Sequence, residues 1–214
     1  MKAMLINENK DLVWSEVEKP TPKSGEILIK IYAAALNRAD LLQRKGTYPS
    51  PKGWPEWMGL EVAGVIEEIA DDAKTTLKVG DKVCALLGGG GYAEYVCAPA
   101  GMVMPIPENL SFEEAASLPE AFATSYLNLF YEGHLKDGQT AFIPAGASGL
   151  ASAAIPLAKA FGARVITSVL SDEIAERIKC LGADLIINSS TENVAEILKT
   201  EGLPLKQDRL HRQE

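Results

Sequence analysis

Residues 142–151, FIPAGASGLA, run from an apolar stub into two glycines and a cluster of very small side chains. So little side chain marks either a plain surface turn or a place where the backbone must approach something closely. The neighbours favour the second reading: residues 140–143 have a strand pattern and residues 149–161 a helical one, so the stretch joins strand to helix. That junction is where a doubly wound α/β fold holds the pyrophosphate of a dinucleotide against a helix N-terminus. Gly146, Ala147, Ser148, Gly149 and Leu150 are therefore the candidate cofactor-binding residues. The spacing is not the full G-x-G-x-x-G, and Ala151 stands where its last glycine often falls, a change the fingerprint tolerates.

About twenty residues further on, at the end of the next predicted strand, Ser168-Val169-Leu170 offers no carboxylate to hold the ribose hydroxyls of NAD. NADPH is the expected cofactor, with Ser168, Ser171 and Arg177 as candidate partners of its 2′-phosphate. Other chemistries find little support. Only two histidines exist, His134 and His211, with no Ser/His/Asp or Cys/His set, so no nucleophilic catalytic residue is expected. Cys84, Cys97 and Cys180 are scattered without a C-x-x-C pair, which is cytosolic usage.

The elements that must position these residues fall into two textures. At 214 residues, 47% hydrophobic and 23% charged, the chain has the length of one large or two modest globular domains. Up to about Pro107 the apolar residues come in short period-two runs closed by Gly or Pro: residues 3–6, 27–31, 62–66, 79–87 and 92–96. An irregular β domain is expected there. From Ser111 the pattern turns helical, with a capping box at Ser111 and Glu114, a helix over 119–132, and then strand and helix in alternation. After the strand at 140–143 and helix at 149–161, strands at 163–169 and 185–188 alternate with helices at 172–181 and 191–200. That order requires a parallel sheet with crossover helices. The expected domains are 1–120 and 121–201, followed by an irregular tail, 202–214. The net charge of −8 provides no basic stripe for nucleic acid, and the longest low-charge region, 141–161, is broken by prolines and glycines, so no membrane span is expected.

Several motifs in order resemble one family: AALNRAD at 34–40, GLEVAG at 59–64, VGDKV at 79–83, GYAEY at 91–95, LPEA at 118–121, and FIPAGASGLA itself. The chain resembles the zinc-independent quinone oxidoreductase branch of the medium-chain dehydrogenase/reductases. The resemblance implies a GroES-like substrate domain followed by a partial Rossmann-like domain, an active site in the cleft between them, and a hydride passed from a nicotinamide cofactor to a quinone or an activated alkene. It implies cytoplasmic location, and homodimers for full-length relatives. It places Asn37 and Thr124 at the nicotinamide end of the cofactor and Tyr48 in the substrate-pocket loop. Each also has a purely structural reading: Asn37 as the cap of a helix starting at Arg38, Thr124 as a helix residue bonded to its own backbone, Tyr48 as a ring packed beside Pro49. Zinc-dependent relatives carry a cysteine where this chain has Asn37 and a histidine where it has Leu60, so no metal site is expected. An enone reductase of the same superfamily and a non-catalytic nucleotide-binding protein are the competing readings.

Three departures stand against the family pattern. Pro156 lies inside the helix after the glycine turn, where it removes a backbone bond and threatens a kink. Ile174 and Ser189 occupy positions where this branch has a lysine and a tyrosine near the 2′-phosphate, which weakens the NADPH preference. The strand and helix series stops at about Thr200, so the chain reads as a fragment or as a reading-frame or splice product, with a marginal fold and poor catalysis expected.

Overall fold

The computed structural model describes residues 1–203, which form two compact units, Met1–Glu120 and the residues from Ala121 onward. The expected irregular tail therefore lies outside the described residues from Pro204 onward. In the first unit, β1 (Lys2–Ile6) and β2 (Leu12–Glu16) make an antiparallel hairpin. Then follow β3 (Glu26–Ala34), helix α1 (Arg38–Lys45), β4 (Glu61–Ile69), β5 (Lys82–Leu86), β6 (Tyr95–Pro99), β7 (Val103–Pro105) and helix α2 (Phe112–Ala116).

β3 to β7 form one antiparallel sheet in the order β6-β3-β4-β5-β7, with register shifts along β3 that bend it. Period-two alternation sends Ile27, Ile29, Val62, Ile66, Val83 and Val96 to one face, where they are fully buried together. Ala63 and Cys84 point to the other face, against Ala115 and Ala116 of α2. The Ser111 hydroxyl accepts from Glu114 N at 3.2 Å while the Glu114 carboxylate accepts from Ser111 N at 2.9 Å, the expected capping box. At Gly64 of β4 any Cβ would run into the Lys30 carbonyl of β3.

The second unit begins within α3 (Pro119–Tyr126). The helix expected to run to Glu132 is α-helical only to Tyr126 and continues as a π turn over Leu127–Glu132. Its wider winding is closed by Gly133 N donating to Asn128 O at 2.9 Å and Leu135 N to Leu129 O at 2.9 Å. Beyond it come β8 (Thr140–Ile143), α4 (Gly149–Ala160), β9 (Arg164–Val169), α5 (Asp172–Ile178), β10 (Leu185–Asn188) and α6 (Val194–Thr200).

The three strands are parallel, ordered β10-β9-β8. Ile143 and Val165 pack with Ile155 and Ala158 of α4, whereas Ile166 and Ile187 pack with Leu198 of α6, so the sheet is covered on both faces. α4 runs unbroken through Pro156. α6 starts three residues later than expected because Asn193 caps it, its Oδ1 accepting from Ala195 N and Glu196 N. The three thiols differ: Cys84 is buried and its thiol pushed up by burial, Cys97 is half-buried and pushed up to about 12, and Cys180 is exposed.

Candidate functional site

The glycine turn sits at the carboxyl end of β8, immediately before α4. Ala145 enters it with φ 54°, a left-handed conformation rare for a residue with a Cβ. Gly146 follows, buried: its N–H donates to Ser168 O at 2.8 Å, and a Cβ there would collide with the Thr167 hydroxyl and lie 2.8 Å from Ile178 Cδ1. Gly146 thus lets the turn lie flat on β9. Ala147, Ser148, Gly149 and Leu150 are exposed. The Ser148 hydroxyl caps α4 by accepting from Ala151 N at 3.2 Å. Around Gly149 there is open space, with nothing within 4 Å of a Cβ placed there. The first-turn N–H groups of a 12-residue helix therefore face an accessible volume, the arrangement that suits an anionic diphosphate.

The two serines expected near the 2′ side have different surroundings. Ser168 lies in β9, next to the turn through its carbonyl, and is partly exposed. Ser171 caps α5, its hydroxyl accepting from Ile174 N at 3.3 Å. Arg177 lies in the last turn of α5, at the opposite end from that cap. The first carboxylate after β9 in the chain belongs to Asp172, which is held by the Asn188 side-chain amide at 2.8 Å.

In the first unit Asn37 is the N-cap of α1, as its structural reading has it. The cap is reciprocal, and the side chain reaches beyond it. Its backbone N–H donates to Asp40 Oδ2 at 2.6 Å, and its side-chain Nδ2 donates to Glu61 Oε1 at 2.9 Å. Glu61 opens β4 and is 2% exposed. Its second oxygen accepts from Glu120 N, in the first turn of α3, at 2.8 Å. The Tyr92 hydroxyl donates to Asp40 Oδ2 at 2.8 Å, and desolvation together with that carboxylate keeps the phenol protonated well above its ordinary range. Burial also raises the Glu61 carboxyl, against the pull of its two N–H partners.

Tyr48, about half exposed, lines a cavity of about 230 Å³ with Trp54, Leu60, Leu86, Met102 and Glu120. Leu60 is buried and apolar. Thr124 lies on α3, where its carbonyl accepts from Asn128 Nδ2 at 2.8 Å. Among the described residues no group of three or more His, Cys, Asp or Glu side chains is arranged to hold a metal ion. The structure thus gathers the five turn residues with Ser168, and separately joins Asn37 to Glu61. Glu61 is the residue that sequence reasoning left without a role. Its signal was a single charge within the apolar run of residues 60–66, LEVAGVI.

Residues 23–108 match the family model of the alcohol dehydrogenase GroES-like domain. The chain is 38% identical to an alcohol dehydrogenase of Geobacillus stearothermophilus over 93% of its own length and 67% of that protein. It is 30% identical to the quinone oxidoreductase of Rattus norvegicus, over 87% of its length and 56% of the relative's. Among solved structures it superposes on the quinone oxidoreductase of Thermus thermophilus, solved also in complex with NADPH, with a TM-score of 0.78, 32% identity, 94% of this chain and 64% of that one covered. The two units correspond to the GroES-like and Rossmann-like parts of such proteins, and no helix among the described residues is long and apolar enough to cross a membrane. A β unit that matches the GroES-like model, a parallel sheet whose glycine turn opens onto a helix N-terminus, and relatives that align along nearly the whole chain together make this chain a member of the quinone-oxidoreductase-like medium-chain dehydrogenases/reductases.

Proposed function

We propose an NADPH-dependent quinone oxidoreductase, cytoplasmic and needing no zinc. The observation that carries the reading is the open glycine turn: Gly146 buried beneath it, Gly149 unobstructed above it, and the first turn of α4 accessible. Those residues fit a pyrophosphate, with Ala147, Gly149 and Leu150 supplying backbone donors, while the Ser148 N–H is taken by Ala145 O at 2.8 Å. The nicotinamide, when bound, supplies the hydride. The chain's own contribution is binding and orientation: Asn37 and Thr124 at the nicotinamide end, Ser168 and Ser171 on the 2′ side. The cavity beside Tyr48 offers apolar walls for one ring of a quinone. Leu60 and the amide of Asn37 replace the ligands a catalytic zinc requires, which supports a zinc-free reaction.

Titration of the protein with NADPH and NADH, followed by fluorescence or calorimetry, tests the cofactor assignment. NADPH is expected to bind more tightly, and a preference for NADH would overturn it. Steady-state oxidation of NADPH with a small quinone beside an enone tests the acceptor. Faster turnover of the enone would move the protein to the double-bond reductases, and binding without turnover of either would make it a non-catalytic nucleotide-binding protein.

A further inference from the structure

We infer that Glu61 is a positioning residue for the cofactor, a buried carboxylate that fixes the Asn37 amide and the start of α3 at once. The inference rests on the functional reading above, in which Asn37 meets the nicotinamide end. Both partners of Glu61 are donors: Asn37 Nδ2 at 2.9 Å on one oxygen and Glu120 N at 2.8 Å on the other. A carboxylate satisfies two donors on two oxygens, whereas a carboxamide satisfies one and turns an N–H₂ toward the other. The same logic orients Asn37. With its nitrogen held by a group that can only accept, the amide cannot flip, and its oxygen is fixed on the side of the Asp40 N–H in the α1 capping box. A carbonyl oxygen has a second lone pair, and that acceptor suits the carboxamide N–H₂ of a nicotinamide. Asp40, on α1, reinforces the arrangement by holding the Asn37 backbone N–H at 2.6 Å.

The ionised form of Glu61 does the positioning, so the device is sensitive to acid. The titratable groups around it are Asp40 on α1, Glu120 on α3, Cys84 on β5 and Tyr92. Asp40 and Glu120 favour a protonated Glu61 by charge, as burial does, while Tyr92 and Cys84 have pKa values raised above their ordinary ranges and stay neutral near neutral pH. Protonation of Glu61 takes away the second acceptor and loosens Asn37. Cofactor affinity should therefore fall as pH drops from neutral through the raised Glu61 pKa.

The test compares wild type, E61Q, N37A and the double variant for NADPH affinity from neutral into mildly acidic pH, with the Asn37 side-chain amide followed by NMR in wild type and E61Q. E61Q should bind about tenfold more weakly at neutral pH, as expected for losing one hydrogen bond to a charged group, and should lack the acid-dependent loss. The double variant should bind no worse than N37A. In wild type the Asn37 amide resonance should titrate together with affinity. Equal NADPH affinity and an equal pH profile for wild type and E61Q would overturn the positioning role and leave the function intact. Should E61Q fail to fold, a pH-independent wild-type affinity overturns it instead. If wild type binds no NADPH, the functional reading falls and takes the cofactor role with it, while the amide resonance still decides whether Glu61 holds Asn37.

Discussion

Gly146 and Gly149 stand three residues apart in one turn, yet the reasons for their lack of a side chain are opposite. Gly146 is small because protein lies against it: a methyl group would meet the Thr167 hydroxyl, itself buried and bonded to Ile143 O at 2.6 Å. Gly149 is small toward open space. Gly146→Ala should therefore cost about 1–3 kcal/mol of stability, as overpacking does. Gly149→Ala should leave stability within about 0.5 kcal/mol and still weaken NADPH binding. Thermal denaturation and a binding titration on the two variants separate the cases, and equal losses of stability would show that the turn is packed on both sides. From sequence the two glycines looked alike. The difference comes from β9, about twenty residues away, whose approach no local pattern records. Glu61 was equally mute, since its partners lie 24 and 59 positions from it along the chain.

Elements were legible where one local signal sufficed. The strand and helix alternation of the second unit, the capping box at Ser111 and the strand at Thr140–Ile143 all follow from residues within a few positions of one another. Ser111→Ala should cost about 1 kcal/mol, because the hydroxyl's bond to Glu114 N is lost while α2 still packs through Ala115 and Ala116. That lowers the melting temperature by about 2–4 °C, and an unchanged melting curve would mean that packing alone sets the start of α2. The π turn at Leu127–Glu132 was not legible, since an i→i+5 winding has the same composition as the helix it interrupts. The same holds for β2, whose Leu12-Val13-Trp14 run is largely exposed and alternates too weakly to declare a buried face.

At the scale of the molecule each unit has its own interior. The first holds two apolar clusters, one around Ile27, Val62 and Val83 and one beneath α2; the second holds one on each face of its parallel sheet. A chain ending at Glu120 should therefore fold by itself, with a cooperative thermal transition and dispersed amide resonances. A collapsed, non-cooperative product would mean that the first unit depends on residues beyond Glu120. Family membership was legible at this scale because six short motifs keep their order, something a single motif could not have conveyed. The chain spans 67% of the Geobacillus relative and 56% of the Rattus one, and within it the three parallel strands fall where the alternation put them. The three thiols carry a practical consequence. Thiol reagents attack the thiolate, and at neutral pH Cys97 is held protonated while Cys84 is shielded inside the sheet. Cys180, on the surface just past α5, is left as the one ready point of attachment, so the unaltered chain can take a dye, a spin label or a bead on its second unit without any cysteine being removed.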